Sequence, residues 1–192
     1  VLPEIITENN IVVASSNNGA VQNIVNELPL TNEQIDQKFV EERLEPAARE
    51  LYYAMHPADQ VHALNVARTA AQLAEKESWS APDQAFLIRC ALLHDVGRRK
   101  GDMDVWGKVL AVLVHHFLPA RLNRWQKMAR HSWLDYPGHA LYVYVHHPAI
   151  GAARLKAIGC CREADVIRQH HERPKPEDSQ VLILLRIADE QN

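Results

Sequence analysis

The chain has 192 residues, 47% of them hydrophobic and 23% charged, with a formal net charge of −3. That length and balance suit a globular domain with a real core and exclude wholesale disorder, and the small net charge argues against a stable nucleic-acid complex. Three cysteines (Cys90, Cys160 and Cys161), two adjacent and none in a C-x-x-C pair, exclude a disulfide framework and a thiolate zinc site.

Residues 1–30 read as a short irregular N-terminal appendage, flexible or packed on a partner. Ile11–Ala14 is a β-branched run that meets the breaker cluster Ser15–Gly19. Ile11–Pro29 resembles the strand–turn–helix that follows the nucleotide loop in superfamily 1 helicases. The chain has no G-x-x-x-x-G-K-[ST] loop to hold a nucleotide, so an ATPase reading fails. The start, VLPEIITENN, has neither a basic n-region nor a continuous apolar stretch, and a cytoplasmic protein is the expectation.

From Thr31 to the end the signals are helical, and residues 31–192 are expected to form one all-α bundle. Thr31 with Gln34 forms a capping box. Pro46 suits the first turn of a helix ending near Met55. Asp59 is expected to cap the next helix, where Val61, Leu64, Ala67, Ala71 and Ala74 recur at helical spacing. Ser80, with Pro82 and Asp83, opens a helix that should stop at Gly97. Further helices are expected over 104–117, 121–130 and 138–147, from Pro148 to Gly159, and over 162–171 and 178–190.

Charge is uneven along this bundle. Arg98, Arg99, Lys100, Lys108, Arg121, Arg124, Lys127 and Arg130 face only Asp102 and Asp104 across residues 98–130. With Trp106, Phe117, Trp125 and Trp133, the basic insert 101–137 reads as an amphipathic helix pair packed on the bundle. A lid, a dimer face or an anionic membrane-surface contact over 105–133 are its other readings. Val105–Leu118 is too short to span a bilayer, which takes about 20 residues.

Eleven histidines stand mostly in doublets or beside Asp. His62 shares a helical face with Val66, Thr69 and Leu73, and His94 with Leu87 and Ala91. Asp189 lies on the stripe Leu182–Leu185–Asp189. A polar group on an apolar stripe needs hydrogen-bond partners or a cation, because an isolated buried charge costs several kcal/mol. One metal shared by His62, His94, Asp95 and Asp189 would satisfy all four.

Four segments carry a specific resemblance: VHALNVARTA (61–70), ALLHDVGR (91–98), HHPAIGAARL (146–155) and LLRIADEQN (184–192). Over residues 45–192 the chain resembles the HD superfamily of metal-dependent phosphohydrolases, and HH-P-x-x-G-A its HDIG-type subgroup. The resemblance implies an HD-domain helical bundle with the ligand order His62, His94–Asp95, Asp189. By the same likeness His147 and His170 are ligands of a second metal. His171 is the adjacent histidine seen in the HD-GYP branch, a candidate for contacting substrate or protonating a leaving group. The Gly-Tyr-Pro signature is absent, since the chain continues HHERPKPED, and this weighs against cyclic-di-GMP hydrolysis. Ala58 stands four residues before His62, where a third metal would need Glu.

Imidazole and carboxylate donors without thiolates suit Fe or Mn, with Zn, Mg or Ni as alternatives. The implied activity is hydrolysis of a phosphate ester or phosphoanhydride of a nucleotide or related small molecule by metal-activated water. Hydrolases that split dinucleoside tetraphosphates have a similar arrangement. Asp95 both binds metal and orients water in this reading. Arg98 is the leading phosphate contact, with Arg99, Lys100, Arg173 and Lys175 as weaker candidates. His56, His115, His116, His131 and His139 are read as structural or surface residues. The competing reading is a non-catalytic HD-scaffold regulatory domain that binds a nucleotide or protein partner. Substrate identity and oligomeric state are not encoded in these motifs.

Overall fold

A computed structural model describes residues 37–102, 107, 111, 113, 114, 117, 124–128 and 135–192. The appendage 1–30, the Thr31–Gln34 capping box, most of the expected helices at 104–117 and 121–130, and His115, His116 and His131 lie outside the described residues. The fold is all-α, with no strand among the described residues. Its helices are α1 (Gln37–Glu41), α2 (Pro46–Tyr53), α3 (Pro57–Lys76), α4 (Ala81–Leu93), α5 (Tyr136–Ala157), α6 (Cys161–Ile167) and α7 (Gln180–Glu190).

Local chemistry sets the helix starts. Ser80 and Ser179 cap α4 and α7, their side chains accepting from the backbone N–H of Asp83 and Leu182. Helix α3 begins earlier than the sequence implies. Its cap is His56, whose Nδ1 accepts from Ala58 N–H, and Pro57 fills the first turn. Asp59 is therefore not the cap but a buried first-turn residue.

Two other boundaries differ. Helix α4 stops at Leu93, and His94–Gly97 form a tight turn. Helix α5 runs through Pro148 without interruption, merging two expected helices into one. Pro148 has no N–H for the Tyr144 carbonyl, which ordinarily weakens a helix; here that carbonyl accepts from Nδ1–H of His147 instead, at 2.8 Å.

The main core gathers Leu44, Tyr52, Leu64, Leu87, Leu92, Leu93, Leu155, Ile167 and Leu185. Helix α3 packs most extensively on α4, α7 lies across both, and α5 and α6 pack on each other. Ala111 and Val114 of the insert make a smaller core with Ala140 and Leu141 of α5. No described helix is long and apolar enough to cross a membrane. These contacts bring one end of α4 against α3, α5, the α6 C-terminus and α7.

Candidate metal centre

Five segments separated in sequence deliver histidines and carboxylates to that point. His62 projects from the second turn of α3 and Asp189 from the last turn of α7. Their side chains meet at 3.0 Å, Nε2 to Oδ1. Asn192 ties this end of α7 to α3 by donating to Thr69 Oγ1 at 3.0 Å. His94 Nε2 lies 3.5 Å from Asp189 Oδ1 and 3.6 Å from Asp95 Oδ2. His62, His94 and Asp189 thus form one converging donor group.

A second group lies on the other side of Asp95. His147 comes from α5, and His170 and His171 from the turn after α6; their donor nitrogens all lie within 4.8 Å of one another. Asp95 Oδ1 is 3.3 Å from His147 Nε2, so the two oxygens of this buried carboxylate face different groups. His94 and His170 rings are 5.5 Å apart, which makes the two groups neighbours. The sequence reading placed His171 at the substrate; the structure also gathers it with His147 and His170, at the more exposed rim.

The imidazoles are presented in one tautomer. His94, His147 and His170 each place Nδ1 against the carbonyl three residues back (Ala91, Tyr144 and Ile167) at 2.8, 2.8 and 2.6 Å. A carbonyl only accepts, so each Nδ1 carries a proton and each ring turns its Nε2 inward. Two of these carbonyls belong to helix C-terminal turns, where backbone acceptors lack helical donors. The third is the one that Pro148 leaves without a donor.

Electrostatics agree with a cation-seeking cluster. Burial alone would raise the Asp95 carboxyl, but Arg98, His94 and His147 hold it well below the usual range. Asp189 is likewise held low against its burial by His94 and His62. Burial would push His94 down, yet Asp95 and Asp189 outweigh it and raise its pKa to about 9. Burial and the neighbouring His171 and His94 drive His170 down to about 3. His147 is also pushed well below its ordinary value, by burial and Arg98. Among the buried polar atoms that lack a hydrogen-bond partner are Asp95 Oδ1 and His170 Nε2, both belonging to this cluster of donors. Such orphaned acceptors are costly unless something positive meets them.

The donor set fits divalent cations. Ligands about 2.1 Å from an ion stand about 3.0–3.4 Å from one another in octahedral or tetrahedral arrangement; the four carboxylate–imidazole pairs above span 3.0–3.6 Å, and the donors within each group lie within 4.8 Å.

Arg98 is buried and reaches inward, its Nη1 donating to Asp95 Oδ2 at 2.8 Å. Arg99, Lys100, Arg173 and Lys175 are exposed. His146 is not part of either donor group and instead contacts Gln126 Oε1, at 2.8 Å. His139 bonds the Met128 carbonyl at 3.1 Å and His56 serves as a cap, so both have the structural roles expected of them.

Three supports of this centre escaped the sequence reading. Gly97 sits against the backbone of His147, where a β-carbon would collide with the His147 carbonyl and Cα; Gly151, one turn on, would place a β-carbon 3.1 Å from Gly97 N. Arg186 of α7 clamps the turn that carries His170 and His171: it donates to the carbonyls of His170 and Gln169 at 3.0 and 2.8 Å and pairs with Asp178. Asp59 lies beside Arg98, 3.9 Å from Nη1. The G in H-D-x-G and in HP-x-x-G was the available signal for the first; nothing local marks Arg186 or Asp59. Comparison with protein-family models, with curated proteins and with solved structures finds no match to this chain.

Proposed function

We propose that this chain is a metal-dependent phosphohydrolase with an HD-type helical bundle, acting on a phosphate ester or phosphoanhydride of a nucleotide or similar small molecule. The observation that carries this reading is the placement of Asp95 between two inward-facing donor groups, each complete without it. His62, His94, Asp95 and Asp189 would hold one divalent ion, and Asp95, His147, His170 and His171 a second. Fe or Mn matches the mixed nitrogen and oxygen donors best. Bound there, such ions supply Lewis acidity and activate water for attack on phosphorus.

The chain's own residues do the rest. The Nδ1–H bonds to Ala91, Tyr144 and Ile167 hold three imidazoles turned with Nε2 inward, so no ring has to reorient when substrate arrives. Asp95 keeps one oxygen toward each donor group and is placed to orient the attacking water. His171, at the rim, would either complete the second ion's donors or, left free of metal, contact the substrate as its place in the sequence suggests. A phosphate contact by Arg98 requires the guanidinium to leave Asp95.

The test is metal analysis of the purified chain, followed by a screen of mono-, di- and pyrophosphate esters with Mn²⁺ or Fe²⁺. Metal-dependent turnover is expected, lost in Asp95→Asn while far-UV circular dichroism stays helical. A wild-type chain that binds no metal and turns nothing over would sink the proposal.

A further inference from the structure

The second donor group already contains a cation of the chain's own. Arg98 Nη2 lies 3.2 Å from His147 Nε2, while Nη1 donates to Asp95 Oδ2 at 2.8 Å. His147 commits its Nδ1 proton to the Tyr144 carbonyl. Its Nε2 is therefore a lone pair, and the guanidinium N–H donates into it. That lone pair is also the one His147 would offer a metal. It cannot serve both.

The first donor group differs. Asp189 pairs there with His62 and His94, imidazoles whose nitrogens are themselves metal donors. Arg98 is no donor to a metal and keeps its charge throughout the accessible pH range. A divalent ion at the second group would share Asp95 and His147 with a fixed positive charge, in a buried place where repulsion is little screened. Asp59, 2% exposed and 3.9 Å from Nη1, offers a second carboxylate against which Arg98 can settle on leaving Asp95.

We propose that Arg98 is a displaceable cation built into the second donor group, so that two ions load in order: the first at His62, His94 and Asp189, the second only when Arg98 withdraws. The inference rests on the metal-dependent reading of the same site. It adds that Arg98 sets the second ion's affinity and makes the one-ion form the resting state at low metal concentration.

Equilibrium dialysis of the EDTA-stripped full chain against Mn²⁺ tests it, with bound metal counted by mass spectrometry. Coupling between paired ions is followed by electron paramagnetic resonance. Wild type is expected to bind one ion and to take the second at least tenfold more weakly. Arg98→Met should bring the second affinity to within a few-fold of the first, with the coupled signal appearing at lower Mn²⁺. Arg98→Lys keeps a charge for Asp95 but has a shorter arm and no planar fork toward His147; it should move the second affinity the same way, and it serves if the Met variant does not fold. Two equal affinities in wild type, or a second affinity unchanged in the folded variant, overturn the ordering and leave the metal reading standing. No Mn²⁺ binding by wild type overturns both.

Discussion

At Gly97 the demand on a single residue is steric rather than conformational. The turn after His94–Asp95 must lie directly on the backbone of α5 for Asp95 Oδ1 to come within 3.3 Å of His147. Any β-carbon at 97 meets the His147 carbonyl, which is backbone and cannot rotate away. Gly97→Ala therefore has to push α5 off the turn, at a cost of about 1–3 kcal/mol for overpacking. The distinctive outcome is local: scanning calorimetry should record a Tm several degrees lower, and the bound-metal count should fall because His147 retreats from Asp95. A variant with unchanged Tm and full metal content would show that the crossing is looser than the structure has it. His62, His94 and Asp189 stood out in sequence as polar groups on apolar stripes, whereas His147, His170 and His171 were picked out by the family resemblance alone. Asp59, Arg98's inward orientation and Arg186 were not legible, since their roles depend on partners 3 to 49 positions away whose geometry no local pattern records.

At the scale of the element, α5 shows why periodicity alone misplaced a boundary. A proline usually ends or kinks a helix, so the sequence reading split this segment at Pro148. The helix continues because the carbonyl that Pro148 leaves without a donor is taken by the His147 side chain. Local propensity and function are in tension here, and the element accepts a helix defect to fix an imidazole. Replacing the proline separates the two effects. Pro148→Ala restores an N–H that competes with His147 Nδ1 for the Tyr144 carbonyl and relieves part of the roughly 3 kcal/mol penalty of an interior proline. Thermal stability of the metal-free protein should rise, while affinity for the second ion drops about tenfold, the lower end of what losing an orienting contact costs. Higher metal affinity in this variant would contradict the orienting role. Helix existence was legible from capping residues and apolar spacing, whereas the ends of α4 and α6 were overrun. His94–Gly97 and Arg168–His171 read as helical continuations but turn out of the helix, and those turns carry four donors of the centre.

For the whole molecule, the centre joins at one point five segments whose helices already share the main hydrophobic core. The donors come from α3, the turn after α4, α5, the turn after α6, and α7, spanning positions 62 to 189 of the chain. The main core of Leu, Ile, Val and Ala side chains surrounds α3 and α4 and includes residues of α6 and α7, so the fold is not expected to depend on metal in the way a small zinc finger does. The metal-free protein should stay helical and cooperative. Ions that bind the folded centre and not the unfolded chain add stability by mass action, about 2.7 kcal/mol at a free concentration one hundred times the dissociation constant. For a chain of this size that is a rise in Tm of about 5–11 °C, reversed by EDTA. The stabilisation should also be distributed. Hydrogen exchange should slow together at the His94–Arg98 turn, at 168–172 and in the last turn of α7, because one pair of ions anchors all three. Slowing confined to a single one of these segments would mean that the donor groups do not act as one centre. In that case Asp95 would not link them.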